Sequence, residues 1–186
     1  MKIIKPSFEI WEQSAGLEGV YKQIEKVGRV CYKSENKITE DSAKEFVDRM
    51  IKSGHGAMLE HGTIYLAIDA SYMQVVCGIE YPALSRRIMD YVANPYSKVT
   101  IIGMTAYITT SYRVLIENNW VDDLQYLCEP TEFHEKRVAV HFVCDRGVSH
   151  EYVRHRVMSF AQESTRYCNY SKDKFGNELA FIQPCW

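Results

Sequence analysis

Between Leu17 and Tyr32, the apolar residues Val20, Ile24, Val27 and Cys31 recur every three or four positions. That spacing lines one face of an α-helix. A second run from about Asp41, with Ala43, Phe46, Val47, Met50 and Ile51 on its apolar side, predicts another helix. It should close near Ser53-Gly54, where glycine suits a helix C-terminus. The opening IIKPSFEIWE has a strand-like composition, and TIYLAI, VTIIG and AYITT read as short strands. Residues 71 to 96 read as mainly helical up to Asn94-Pro95, since proline disfavours helix at itself and one residue before. A further helix is predicted from Arg113 to Leu127. RVAVHFVCD alternates as a strand, with Val138, Val140, Phe142 and Cys144 on one face. Asp145-Arg146-Gly147 then makes a turn, and Ser149 is placed as the N-cap of a helix beginning at His150. ELAFIQP is the last predicted strand. Strands and helices mixed without a regular βαβ rhythm predict an α+β fold, a mixed central sheet flanked by helices.

Composition narrows the function classes. The 186 residues suit one domain, with a hydrophobic fraction of 46% and a charged fraction of 25%. Lys plus Arg number 22 against 24 for Asp plus Glu. A near-neutral balance exerts no overall pull on nucleic acid or an anionic membrane, so any attraction for phosphate must be local. No apolar stretch approaches the roughly 20 residues of a membrane span. The start, MKIIKPSFEIWEQ, lacks the apolar block of a signal peptide, and a cytoplasmic protein is expected. Six cysteines without a C-x-x-C pair argue against a disulfide framework, and no metal site is expected.

The polar chemistry concentrates near the end. In a helix from His150, Val153, Val157 and Phe160 would form the core-facing stripe, with His150 a packed histidine beside it. Arg154, His155 and Arg156 would instead fan around the helix, because successive residues lie about 100° apart. Ser159, Gln162, Ser164, Thr165, Arg166 and Asn169 follow within eleven residues. Guanidinium forks with neighbouring hydroxyls and amides make a phosphate cradle. Anions approaching from several sides suggest a site shared between subunits.

RHRVMSFAQESTRY resembles the signature of flavin-dependent thymidylate synthases, an Arg-His-Arg triplet followed after seven residues by serine. SGHGAMLEH (53–61) is similar to that family's His-Gly-His…Glu-His stretch, GRVCY (28–32) to its Arg-Val-Ser/Cys element, and VHFVCDRGVSHEYV to the approach to the signature. The resemblance covers the first sixty and last fifty residues, leaving residues 70 to 133 as an insertion relative to short family members. It implies conversion of dUMP to dTMP, with methylenetetrahydrofolate as carbon donor, NADPH as reductant and FAD as cofactor. It implies a homotetramer as well. Carried over position by position, FAD would meet His55, Arg154, His155, Arg156, Val157 and Gln162, with Cys31 near its adenylate end. The nucleotide would meet Glu151, Arg154, Gln162, Glu163, Ser164, Thr165 and Arg166. The catalytic candidates are Arg154 and Ser164. No histidine lies at a spacing that would activate Ser164 as a nucleophile, so it reads as a hydrogen-bonding ligand.

Several positions depart from the family pattern. Glu151 stands where glutamine is usual, Gln162 where an acid is common, and Ala57 where a hydroxyl is common. The family's late helix, with an arginine that polarises uracil, has no counterpart after Arg166, which leads to the expectation of a truncated piece of a longer enzyme. TTSYRVL, with Arg113, shares three residues with the family's Asn-x-Arg stretch, too few to assign a role. The alternative is a flavin- and nucleotide-binding relative without catalysis. An RNA-binding protein is disfavoured by the neutral charge and the lack of an RNP-like aromatic motif, and a phosphate-transfer enzyme by the absence of a Gly-rich P-loop.

Overall fold

The computed structural model describes residues 2–69, 83–155, 158–164 and 180–183. Helix α1 spans Gly16–Tyr32 and α2 spans Ser42–Lys52, as the apolar spacing predicts. Val20, Ile24, Phe46, Val47 and Met50 are buried where the two helices meet the sheet. That sheet is antiparallel, in the order β3 (Thr63–Asp69), β5 (Thr105–Ser111), β4 (Lys98–Ile102). Ile64, Leu66 and Ile68 alternate inward along β3, and Ala106 and Ile108 of β5 face the same core. Helix α4 (Ala83–Ala93) adds Ile88 and Tyr91 to the core.

A buried polar network ties α1 to the start of α2. Glu25 Oε1 accepts from Arg29 Nε at 3.0 Å and from Arg29 Nη2 at 2.7 Å. Its other oxygen accepts from Ser42 Oγ at 2.8 Å. Gly62 lets the chain pass close to α1, because a Cβ there would lie 2.6 Å from Ile24 Cδ1.

The remaining strands form two smaller pairs. β1 (Lys2–Ile4) runs parallel to β7 (Ala180–Ile182), and β2 (Ser7–Trp11) antiparallel to β6 (Ala139–Val143). The α+β class is therefore as expected, with the strands among the described residues distributed over three small sheets. The alternation of β6 holds too, but Val138, Val140 and Phe142 are exposed within the chain, facing the same side as Phe8 and Ile10 of β2.

Two predicted helices differ. The stretch from Arg113 to Leu127 is divided into α5 (Tyr112–Asn118) and a 3-10 turn (Val121–Tyr126). Asn119 takes a left-handed conformation (φ 58°) and closes α5: its N–H donates to the Ile116 carbonyl at 3.3 Å, and Trp120 N–H donates to the Leu115 carbonyl at 2.7 Å. The helix placed at His150 begins earlier, as α6 (Arg146–Tyr152), and its N-cap is Asp145, not Ser149. The Asp145 carboxylate accepts the Val148 N–H at 3.1 Å, satisfying a first-turn donor two residues upstream of the expected start. α6 buries none of its residues, so no tertiary packing sustains further turns. His150 is exposed and not packed, Val153 is exposed, and the stripe through Phe160 does not form. Val157 of that stripe lies outside the described residues. Arg154 and His155 consequently sit in turns after the helix, without the fan that a continuing helix would give. Among the described residues, no helix is long and apolar enough to cross a membrane.

Candidate functional site

The end of α2 sets the first wall of a cleft. Gly54 adopts φ 70°, and His55 N–H reaches back to the Met50 carbonyl at 3.0 Å while Gly54 N–H bonds Ile51 at 3.1 Å. This paired arrangement is a Schellman closure, which requires a left-handed residue that glycine supplies without a Cβ penalty. It stops α2 and directs the chain into the short helix α3 (Gly56–Leu59). His55 thereby faces the last turn of α1. Its Nδ1 is 2.7 Å from Tyr32 Oη, and the two rings are nearly parallel, 15° apart with centroids at 6.4 Å.

The opposite wall comes from the segment 158–164. Ser164 N–H donates to the Cys31 carbonyl at 3.0 Å, fastening this segment to the end of α1. Glu163 approaches Lys33 at 3.9 Å, and Gln162 Nε2 donates to Ser149 Oγ of α6 at 2.9 Å. Between the walls lies an open cleft of about 490 Å³, lined by Cys31, Tyr32, residues 54–58, Arg113, Gln162 and Ser164. That volume falls within the roughly 300–1,000 Å³ of small-molecule sites.

Arg113 was given no role by sequence reasoning, yet it enters the cleft from the first turn of α5. Its Nε bonds Glu117 Oε1 at 2.6 Å, and its Nη1 lies 3.3 Å from Glu60 Oε1. The hydrogen bond to Glu117 raises the Arg113 pKa further, so the guanidinium is permanently charged. The local signal is slight, three residues of TTSYRVL shared with the family's Asn-x-Arg stretch, and its position in the cleft is what singles it out. His61, at the end of the same SGHGAMLEH stretch, behaves oppositely. Burial lowers its pKa to about 4, and its Nε2 is buried without a hydrogen-bond partner among the described residues.

Of the residues singled out in the sequence, His55, Cys31, Gln162 and Ser164 come together in the cleft, with Glu163 beside it. Ala57 also lines it. Arg154 and Glu151 instead pair with each other at the surface, Nη1 to Oε2 at 3.0 Å. His155 is exposed just beyond them. Arg156, Val157, Thr165, Arg166 and Asn169 lie outside the described residues. The arrangement offers a flat ring pair, two positions without side chains and a fixed cation, which suits a ligand with a planar ring and an anionic group.

A family model described as thymidylate synthase complementing protein matches residues 17–76 and 90–185. These ranges cover most of the chain and include every residue described in the cleft. No curated protein and no solved structure matches. The chain belongs to the thymidylate synthase complementing protein family.

Proposed function

We propose that this member of the thymidylate synthase complementing family is a flavin-dependent thymidylate synthase that methylates dUMP to dTMP in the cytoplasm. The observation that carries the reading is the convergence of three distant segments, GRVCY, SGHGAMLEH and the AQES run, on one cleft. These are the segments in which the sequence resembles flavin-dependent enzymes.

The residues present fit FAD. Tyr32 and His55 provide parallel ring surfaces, and Gly54 has nothing within 4 Å of where a Cβ would stand. His55 and Gln162 would hold FAD within the cleft. Arg154, His155, Arg156 and Val157 would meet it from the adjoining run. The bound flavin, reduced by NADPH, supplies the hydride, while methylenetetrahydrofolate supplies the carbon. The chain's own task is orientation and charge neutralisation. Gln162, Glu163, Ser164, Thr165 and Arg166 would position the nucleotide, with Ser164 as a ligand and not a nucleophile. Arg154 can reach a ligand anion by exchanging its exposed partner Glu151, a pair whose side chains are 67% and 68% exposed. Such exposed pairs contribute little, so the exchange costs little. A site shared between subunits of a homotetramer accords with α6, which exposes Val148 and Tyr152, and with Val153 just after it, also exposed in the single chain.

The test is the absorbance of the purified protein before and after addition of FAD, followed by titration with dUMP. Flavin bands and an Arg154→Ala variant weakened toward both ligands are expected, with His150→Ala close to wild type. A colourless protein that takes up no added FAD would sink the reading.

A further inference from the structure

We propose that Arg113 is an anion-binding residue of the cleft, held ready by Glu60 and Glu117 and released to a phosphate group of the ligand. The identity of that ligand as FAD rests on the function proposed above; the anion site rests on geometry. Among the described lining residues, Arg113 is the one Lys or Arg, and it faces the same space as His55, Gln162 and Ser164.

Helix stability does not account for the ion pair. Arg113 lies in the first turn of α5 and Glu117 near its last residue. A cation at a helix N-terminus and an anion at its C-terminus both oppose the backbone dipole. The acid-after-base order is also the weaker of the two four-residue spacings. A surface pair selected for the helix would have the reverse order.

The donors are only partly used. Nε bonds Glu117 and Nη1 approaches Glu60, while Nη2 has no hydrogen bond to a described residue. A guanidinium carries five N–H donors in a fork that matches phosphate oxygens. Two carboxylates on one guanidinium leave the trio with a net negative charge, so either acid can be exchanged for a ligand anion. Glu117 is the one to leave, being 53% exposed against 23% for Glu60. Gly56 keeps the approach open: a Cβ there would lie 3.1 Å from Arg113 Nε and 3.3 Å from Glu117 Oε1.

The experiment measures binding of FAD, riboflavin and inorganic pyrophosphate to the full chain, wild type, Arg113→Ala and Glu117→Gln. Charge-assisted hydrogen bonds of this kind predict a loss of about 10- to 100-fold in FAD affinity for Arg113→Ala, with riboflavin, which lacks phosphate, unchanged. Glu117→Gln removes the competing charge and should tighten FAD and pyrophosphate several-fold, a gain that misfolding cannot produce. Wild-type FAD affinity retained in Arg113→Ala, or FAD and riboflavin weakened alike, would overturn the proposal while leaving the flavin reading standing. Pyrophosphate binding that depends on Arg113, in a protein that takes up no FAD, would support the anion site and refute the flavin reading. Binding of none of the three probes by the wild type removes both.

Discussion

Replacing Glu25 by alanine is expected to be among the costliest single changes in this chain, because of what it leaves behind. The Glu25 side chain is 1% exposed and that of Arg29 10% exposed, and they meet through two hydrogen bonds to one carboxylate oxygen. Alanine would strand the guanidinium against the ring of Phe46, whose centroid lies 4.8 Å from Arg29 Cζ. It would also remove the nearer of two acceptors of Ser42 Oγ at the start of α2, leaving the Thr39 carbonyl at 3.1 Å. Breaking a buried pair by deleting one partner costs about 3–5 kcal/mol, most of it the unpaired charge. Against a total stability of about 5–15 kcal/mol, that is a large fraction. With a urea m-value of about 2 kcal/mol/M, the midpoint should fall by about 2 M. The same change loosens the last turn of α1, which delivers Cys31 and Tyr32 to the cleft. Urea titration of wild type, Glu25→Ala, Arg29→Ala and the double variant forms the assay. The two single costs should sum to well over the double cost. Glu25→Met with Arg29→Met should recover most of the loss, since an apolar pair needs no desolvation of charge. A Glu25→Ala cost below about 1 kcal/mol, or additive single effects, would refute the reasoning, because it would mean that Arg29 finds water or another partner.

Two further outcomes follow from the same core. Burial holds the His61 pKa near 4, below the unfolded value of about 6.5, so the unfolded chain binds the extra proton first as pH falls. Stability should therefore drop by about 2 kcal/mol between pH 8 and pH 5 on account of this group, and His61→Gln should remove that part of the pH dependence in thermal melts; identical pH slopes in the two proteins would contradict it. Gly28→Ala would place a Cβ 2.5 Å from Phe46 Cζ, so the α1–α2 contact must open; a cost of about 1–3 kcal/mol is expected by denaturant titration, and a neutral substitution would show that Phe46 can yield.

Local pattern determined much of this protein. The spacing of Val20, Ile24, Phe46, Val47 and Met50 was enough for α1 and α2, because a helix buries one face at a period set by its own backbone. The strands β3, β4, β5 and β6 were legible from alternation and short apolar runs for the same reason. The GRVCY and SGHGAMLEH elements could be named as site material, since resemblance resides in residue order.

Tertiary structure decided the rest. The bounds of α6 turned on one carboxylate, Asp145, capturing Val148 N–H, and on the absence of burial that would have carried the helix through Arg154. The bond from Ser164 N–H to the Cys31 carbonyl joins segments whose separation no periodicity spans. Arg113 reaches the cleft because the register of β5 on β3 sets Ser111 opposite Thr63, and Tyr112 N–H then bonds the Gly62 carbonyl at 2.8 Å. Those two contacts fix where α5 begins beside α3, and so which guanidinium meets Glu60. A helix face can be read from its own residues, whereas the side chains that share a cleft depend on how distant elements pack.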